Sequence, residues 1–173
     1  ASGKTGLARK LAAALGLPLI TKDGLKETLF DALGVGDRAW SRRLGGAAFA
    51  LMYRIAEAEL RAGRSLILEG NFRALAEPTL RDLLARHNAR LIQVYVTADD
   101  ATLMERFRGR WESGQRHPGH RDDLTLPDVA TSLRDAVYAP LALEGPLLRV
   151  DTTDSAAVDT APILSAVTEA LAT

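Results

Sequence analysis

The sequence predicts an α/β protein in which helices cover both faces of a parallel sheet. Short apolar strands alternate with amphipathic helices along the 173 residues, which is typical of βα units. The strand predicted at Ser65–Glu69 has no polar face, as expected for a strand buried on both sides. Gly3-Lys4-Thr5 stands directly before an amphipathic helix, where a phosphate-binding loop would lie.

The first part of the chain predicts three helices and two strands. Leu7, Leu11 and Leu15 are spaced four apart, which predicts a helix over Lys4–Leu15 that ends at Gly16. The elements that follow are a strand at Pro18–Thr21, a helix at Lys22–Leu33, a helix at Asp37–Ala62 that is interrupted or bent near Gly45-Gly46, and the strand at Ser65–Glu69.

The second part continues the alternation, and its only long stretch without a predicted element is rich in Gly, Pro, His and Arg. No repeat, low-complexity segment or linker divides the sequence, so we expect one domain over residues 1–173. The predicted elements are a helix at Pro78–Asn88, a strand at Leu91–Val96, a helix at Ala98–Glu112, a loop at Ser113–Pro127, a helix at Asp128–Tyr138, a strand at Leu147–Val150 and a helix at Ser155–Ala172.

Composition excludes several classes of function. The absence of cysteine rules out disulfides, a thiol nucleophile and thiolate metal sites. No apolar run approaches the roughly 20 residues of a membrane span, and no signal peptide is visible, so we expect a cytoplasmic protein without a membrane partner. The net charge of zero argues against a domain that coats nucleic acid. It is still compatible with a protein that binds only the end of a nucleic-acid strand. No obligate protein partner is evident.

Gly3-Lys4-Thr5 matches the second half of the phosphate-loop motif G-x-x-x-x-G-K-[ST]. Gly3 would let backbone N–H groups wrap a phosphate, Lys4 would bind the β- and γ-phosphates, and Thr5 would offer its hydroxyl to Mg²⁺. Ser2 and Gly6 flank this core and complete the candidate nucleotide-binding segment. The first glycine of the motif and the strand that precedes it are expected ahead of Ala1, so we interpret the sequence as a fragment.

Asp23 is the candidate general base. It follows the strand predicted at Pro18–Thr21, and the carboxyl ends of parallel strands line the ligand crevice. A carboxylate there can accept the proton of an attacking hydroxyl, and the structural alternative is a helix cap. Lys26, one turn further on, is a candidate for binding a phosphate or the substrate.

Glu69 and Asn71 lie at the end of the next strand. An unpaired buried charge is costly, so an acid that ends a buried strand is expected to have a partner or a ligand. Glu69 could order Mg²⁺ through water or bind the substrate, and Asn71 could hydrogen-bond the substrate or a backbone group. A purely structural role is the alternative.

An arginine-rich segment predicts a lid over approximately residues 106–127. Arg106 and Arg110 share one helix face and could stabilise a transferred phosphoryl group, and Arg116 is a candidate substrate ligand. A loop with Gly and Pro between helices can close over a site, whereas the alternative is a solvated helix face. His117 and His120 would suit zinc beside Asp122 and Asp123, but the loop has no further His or Cys, so polar lid residues are the favoured interpretation.

These motifs together resemble the small P-loop kinases of the AAA_33 type, which are close to zeta toxins, chloramphenicol phosphotransferase and the kinase domain of phage polynucleotide kinase. The resemblance covers nearly the whole chain. It is carried, in order, by Gly3-Lys4-Thr5, Thr21-Lys22-Asp23, Leu66-Ile67-Leu68-Glu69-Gly70-Asn71, Leu103-Met104-Glu105-Arg106 with Arg110, and Arg116-His117-Pro118-Gly119-His120.

The resemblance implies a P-loop NTPase sandwich of three layers, with a five-stranded parallel sheet of order 2-3-1-4-5 whose first strand precedes Ala1. It makes Lys4 and Thr5 the ligands of ATP and Mg²⁺ and Asp23 the base. Lys26 falls where polynucleotide kinases carry a substrate-contacting Arg, and Glu69 where they carry an Asp. Arg106 and Arg110 match the lid arginines that bracket the transferred phosphate.

The activity expected from this resemblance is transfer of the γ-phosphoryl group of ATP to a hydroxyl of a small molecule such as a nucleoside, sugar or antibiotic. The neutral net charge favours a small acceptor. Three alternatives are a polynucleotide 5′-hydroxyl kinase, a zeta-toxin-like kinase acting on a sugar nucleotide, and an ATP-binding switch without phosphotransfer.

Overall fold

Helices and strands alternate in the computed structural model, which describes residues 1–114, 116–120 and 139–172. The helices and strands of these residues are α1 (Lys4–Leu15), β1 (Leu19–Thr21), α2 (Lys22–Leu33), α3 (Arg38–Arg61), β2 (Ile67–Glu69), α4 (Glu77–His87), β3 (Gln93–Thr97), α5 (Asp100–Glu112), β4 (Leu147–Asp151) and α6 (Ala161–Ala172), with short 3₁₀ turns at Ala74–Ala76 and Pro118–His120. The helix predicted at Asp128–Tyr138 lies outside the described residues.

The strands form parallel pairs, which confirms the predicted α/β class. In one pair β1 lies beside β2, with Thr21 opposite Glu69. In the other β3 lies beside β4, with Thr97 opposite Asp151. Both pairings agree with neighbours in the predicted strand order. The described residues show two separate two-stranded sheets, so the five-stranded sandwich stays a prediction.

A cleft of about 820 Å³ is lined by β2 of one sheet and β3 of the other. Helix α1 also lines it through Leu7, Ala8 and Leu11. Because β1 and β2 are parallel and in register, their carboxyl ends meet at Thr21 and Glu69. Lys4, Lys22, Asp23 and Glu69 are charged residues of the cleft near these strand ends, whereas Arg64 and Arg90 line it near the opposite ends of the strands.

Apolar stripes on the helices fix their positions. Leu7 and Leu11 of α1 pack with Val150 of β4 in a buried cluster. On α2, Phe30 is almost fully buried. On α3, the buried residues recur at helical spacing and place this helix against α2. They are Ser41, Leu44, Ala48, Met52 and Ala56.

The predicted interruption of the third helix near Gly45-Gly46 is wrong. Helix α3 runs without a break from Arg38 to Arg61. Each interior glycine costs about 1 kcal/mol relative to alanine, but buried residues precede and follow the two glycines on the same face. A Cβ at Gly45 would lie 3.9 Å from Cε of Lys26, so α2 approaches α3 closely here. Packing along the whole stripe outweighs the local cost.

The last helix begins at Ala161 and not at Ser155 as predicted. A start at Ser155 would place Pro162 in the helix interior, where it lacks an N–H donor and clashes with the preceding turn. In the structure Pro162 lies in the first turn, a favoured position. The other predicted bounds lie within two residues of those in the structure.

No helix among the described residues has the length and apolar character needed to cross a membrane.

Candidate active site

The predicted phosphate-loop segment, residues 1–6, enters α1 through a left-handed glycine. Gly3 is the N-cap of α1 with φ +75° and ψ 0°, a left-handed conformation that favours glycine. Gly3 has no side chain to cap this helix end, which leaves the first-turn amides, including those of Thr5 and Gly6, suited to bind an anion. The carbonyl of Ser2 accepts a hydrogen bond from the Thr152 hydroxyl at 3.0 Å, which fixes the segment to the end of β4.

Glu69 is the group that Lys4 and Thr5 share. Lys4 Nζ lies 3.3 Å from Glu69 Oε1, and Thr5 Oγ1 donates to Glu69 Oε2 at 3.1 Å. Glu69 is 6% exposed, so its charge is compensated by a cation and a hydroxyl, as the cost of burying an unpaired charge requires. The structure therefore brings three of the predicted site residues together at the end of β2.

Asp23 lies in the first turn of α2 and is not its cap. The cap is Thr21, whose hydroxyl accepts from the amide of Gly24 at 3.2 Å. The Asp23 carboxylate instead contacts two cations. Lys22 Nζ lies 3.1 Å from Oδ1, and Arg116 Nη2 lies 3.2 Å from Oδ2.

These contacts set the protonation state of Asp23. Burial alone would raise its pKa, but the cations Lys22 and Arg116 outweigh burial and hold the pKa well below its usual range. The carboxylate is therefore ionised at neutral pH. Asp23 also lines the cleft.

Lys26 and Asn71, both predicted substrate ligands, line the same cleft in different environments. Lys26 is only 7% exposed, and its Nζ donates to Ser41 Oγ at 2.8 Å. Ser41 in turn donates to the carbonyl of Gly119 at 2.8 Å. Asn71 is exposed. The structure thus places both residues at the cleft, and their roles stay predictions.

The two predicted lid arginines differ in their contacts. Arg106 donates through Nη2 to the carbonyls of Thr152 and Thr153, at 2.8 and 3.0 Å. Arg110 lines the cleft, with its guanidinium 5.4 Å from the ring centre of Phe107. Arg110 thus faces the site, whereas Arg106 holds the loop after β4. Their catalytic roles, and the lid, stay predictions.

Thr152 was not predicted as a catalytic or binding residue, and His120 was predicted only as a polar residue of the lid. The hydroxyl of buried Thr152 accepts a hydrogen bond from Arg106 Nη1 at 3.3 Å. The same hydroxyl lies within hydrogen-bond distance of the carbonyls of Ser2 and Thr97. Thr152 therefore connects the segment before α1 to β3 and α5. Buried His120 contacts Arg116, which in turn contacts Asp23. The signals in the sequence were a polar run after the last strand and the Arg116-His117-Pro118-Gly119-His120 segment.

Comparison with known proteins places this geometry in a family. The AAA_33 family model, described as an AAA domain, matches residues 1–133. The chain belongs to the AAA_33 family. The predicted resemblance to AAA_33 P-loop kinases is thereby confirmed. No curated protein matches the sequence of this AAA_33 chain.

A solved structure extends the comparison to the rest of the AAA_33 chain. A protein from Chloroflexus aurantiacus J-10-fl, described as a "putative kinase", has a crystal structure at 1.70 Å resolution that is similar to this chain with a TM-score of 0.90. The two sequences are 41% identical, and the match covers 98% of this chain and 92% of the other. The described geometry, with the phosphate-loop segment and Glu69 near Asp23, therefore lies on a fold shared with that protein.

Proposed function

We propose that the AAA_33 chain is an ATP-dependent kinase that transfers the γ-phosphoryl group of ATP to a hydroxyl of a small molecule. One observation carries the proposal. Lys4 and Thr5 both contact Glu69, and Glu69 lies opposite Thr21, two residues before Asp23. A predicted phosphate site and an ionised carboxylate thus occupy the same edge of one sheet. The family and the similar structure support a kinase-type function that binds nucleotide.

The nucleotide would be held by the start of α1. The uncapped N-terminus of a helix offers N–H donors and a favourable dipole to phosphate. Lys4 adds a cation from the same turn. Arg110 of α5 lines the same cleft and would add a second cation.

The residues present also fit a magnesium ion. Among the described residues no group of three or more His, Asp or Glu side chains could form a metal cage. Mg²⁺ in a nucleotide site does not need one, because it keeps waters and takes one or two protein oxygens beside the phosphates. Thr5 Oγ1 and Glu69 Oε2 supply two such oxygens, 3.1 Å apart. When bound, Mg²⁺ would neutralise charge on the phosphates.

Asp23 would act on the acceptor. Phosphoryl transfer asks the protein mainly for positioning and charge stabilisation. The ionised Asp23 would orient the acceptor hydroxyl and take its proton as the new O–P bond forms, while the bond from the γ-phosphorus to the β–γ bridging oxygen breaks and ADP leaves. Arg116 and Lys22 hold the carboxylate between them, which fixes its direction.

The test is a transfer assay with the full-length protein. The protein is incubated with γ-labelled ATP and Mg²⁺ against nucleosides, sugars, sugar nucleotides, aminoglycosides and a 5′-hydroxyl oligonucleotide. Label in one small molecule supports the proposal, and Lys4→Ala should abolish the transfer. Lys10→Ala is the matched control, because Lys10 is an exposed lysine of the same helix.

The same assay separates the alternatives. Label at the oligonucleotide end would replace the small acceptor with a polynucleotide. Label in a sugar nucleotide would favour a zeta-toxin-like kinase. ATP binding that requires Lys4, with no transfer to any acceptor, would contradict the kinase proposal in favour of a nucleotide-binding switch.

A further inference from the structure

The turn formed by residues 116–120, called here the Arg116–His120 turn, is docked on α2 and α3 by packing and polar contacts. A Cβ added to Gly119 would lie 2.5 Å from the ring of Phe30, so the turn approaches this buried ring as closely as glycine allows. The imidazole of His117 stacks on the same Phe30 ring, with 5.2 Å between the ring centres. Ser41 of α3 donates to the carbonyl of Gly119. The position of the turn is therefore set by helices from much earlier in the chain, since Ser41 lies 78 residues before Gly119.

The contacts of His120 determine its tautomer. Arg116 Nη2 lies 3.0 Å from His120 Nδ1, and Glu27 Oε1 lies 2.8 Å from His120 Nε2. A guanidinium can only donate hydrogen bonds, so Nδ1 must be unprotonated and accept. An ionised carboxylate can only accept, so Nε2 must carry the proton and donate. Both contacts are satisfied together by the neutral Nε2–H form alone.

Arg116 is held between two acceptors. Its Nη2 carries two hydrogens, and this single nitrogen contacts both His120 Nδ1 at 3.0 Å and Asp23 Oδ2 at 3.2 Å. The side chain of His120 is 3% exposed and that of Arg116 is 19% exposed. A contact chain therefore runs from Glu27 through His120 and Arg116 to Asp23.

We propose that His120 is a positioning residue for phosphoryl transfer, because as a neutral acceptor it holds Arg116 in place and Arg116 in turn fixes the carboxylate of Asp23. This inference rests on the proposed function, in which Asp23 receives the acceptor proton. Protonation of His120 would remove the acceptor at Nδ1 and place a second cation beside the guanidinium. Arg116 would then lose one of the two acceptors of Nη2.

The charges around His120 favour the neutral form. Burial is the largest effect, and together with the cations Arg116, Lys26 and Lys22 it outweighs the opposing effect of Asp23 and lowers the pKa of His120 to about 3. Among the described residues, Glu27 also contacts the imidazole, at Nε2. At neutral pH the acceptor at Nδ1 is therefore present in nearly every molecule.

The tautomer can be measured without any assay of activity. Imidazole ¹⁵N shifts of His120 in the full-length wild-type protein at pH 7 should show protonated Nε2 and unprotonated Nδ1. A charged imidazole, or the neutral form with the proton on Nδ1, would overturn the proposal, because neither can accept from Arg116.

Two substitutions separate positioning from a merely structural role. The side-chain oxygen of His120→Asn can lie near the place of Nδ1 and accept from Arg116, whereas the amide of His120→Gln reaches the place of Nε2 and keeps only the contact with Glu27. A lost hydrogen bond to a charged group corresponds to about a tenfold to hundredfold change. We expect kcat for γ-phosphoryl transfer to be lower in His120→Gln than in His120→Asn by this ratio, with similar KM for ATP in both.

The positioning role would be overturned by equal losses of kcat in the two variants that track equal losses of thermal stability. A higher kcat in His120→Gln than in His120→Asn would also overturn it. If the wild-type protein transfers no label to any acceptor of the panel, the proposed function fails, and the ¹⁵N measurement then still decides whether His120 holds Arg116.

Discussion

Glu69 shows at the scale of one residue how a buried charge obtains partners. Its carboxylate is 6% exposed and is contacted by a cation and a hydroxyl that both belong to the start of α1. The cost of burying an acid predicted such partners from the sequence alone. The strand pairing then explains why Glu69 and the turn that carries Asp23 are close.

Glu69→Gln should weaken the use of Mg²⁺ more than it weakens folding. The amide can still accept from Thr5, but it has no charge to balance Lys4 or the metal. Loss of a group that ligates or orients a metal typically costs about 10- to 100-fold in affinity. Titration of Mg²⁺ in the transfer assay should show this shift, whereas Glu144→Gln, at an exposed position, should show none. An unchanged Mg²⁺ dependence in Glu69→Gln would exclude Glu69 from the metal site.

His120 makes the free energy of unfolding depend on pH. Its pKa is about 3 when folded and near the ordinary 6.5 when unfolded, so between these values the unfolded state binds more protons. Stability should therefore fall as pH falls below about 6.5. The lowered pKa of Asp23 acts in the same direction, since its contribution is lost as pH falls through and below the ordinary 3.8.

Denaturant unfolding at pH 7.5, 6 and 5 measures this dependence. The wild-type protein should lose more stability over this range than His120→Gln, which cannot titrate at this position. Equal losses in the two proteins would show that His120 does not carry the effect.

At the scale of single residues, the sequence predicted partners where chemistry demands them and gave no signal where only the fold supplies them. The phosphate-loop pattern and the strand-end acids made Lys4, Thr5, Asp23 and Glu69 candidates, and the structure brings Lys4 and Thr5 into contact with Glu69, while the roles of all four stay predictions. His120 lies 93 residues from Glu27 along the chain. No local pattern reports a contact across that distance.

At the scale of elements, the docking of the Arg116–His120 turn depends on glycine. Gly119→Ala would force a Cβ into the ring of Phe30, which is 1% exposed and has little room to move. We expect a lower melting temperature and slower phosphoryl transfer, since both the core and Arg116 would be displaced. Gly109→Ala is the matched control, because nothing lies within 4 Å of its added Cβ. Equal transfer rates in the two variants would mean that the turn does not need this close approach.

Helix α3 shows why element boundaries were only partly predictable. The two glycines at its centre suggested an interruption, but the buried stripe on both sides of them keeps the helix continuous. Helix α6 shows the opposite case, where local chemistry was decisive and Pro162 fixes the start. Propensity and packing compete, and only the structure shows which is stronger at a given site.

Gly46→Ala should stabilise the protein. Gly46 is exposed in the interior of α3, and no atom lies within 4 Å of the added Cβ. The gain should reach up to about 1 kcal/mol in the free energy of unfolding, measured by denaturant titration. A loss of stability would indicate that the helix is strained or broken at this position.

At the scale of the whole molecule, the alternation of strands and helices predicted the α/β class, and the described residues confirm it with two parallel strand pairs. A five-stranded order could not be read from periodicity, because short buried strands carry no signal for their neighbours. The net charge of zero describes the surface as a whole. Around Asp23 the contacts are cationic, through Lys22 and Arg116, so average charge was a poor guide to the local field.

The central claim is that Asp23 takes part in phosphoryl transfer and is not needed to bind the nucleotide. The most direct test compares the full-length wild-type protein with Asp23→Asn in two measurements, ATP affinity with Mg²⁺ and transfer of γ-label to the acceptor identified in the panel. We predict that Asp23→Asn binds ATP with similar affinity and loses transfer by about 100-fold or more, as expected for removal of a positioned acid or base. Transfer at the wild-type rate by Asp23→Asn would contradict the account.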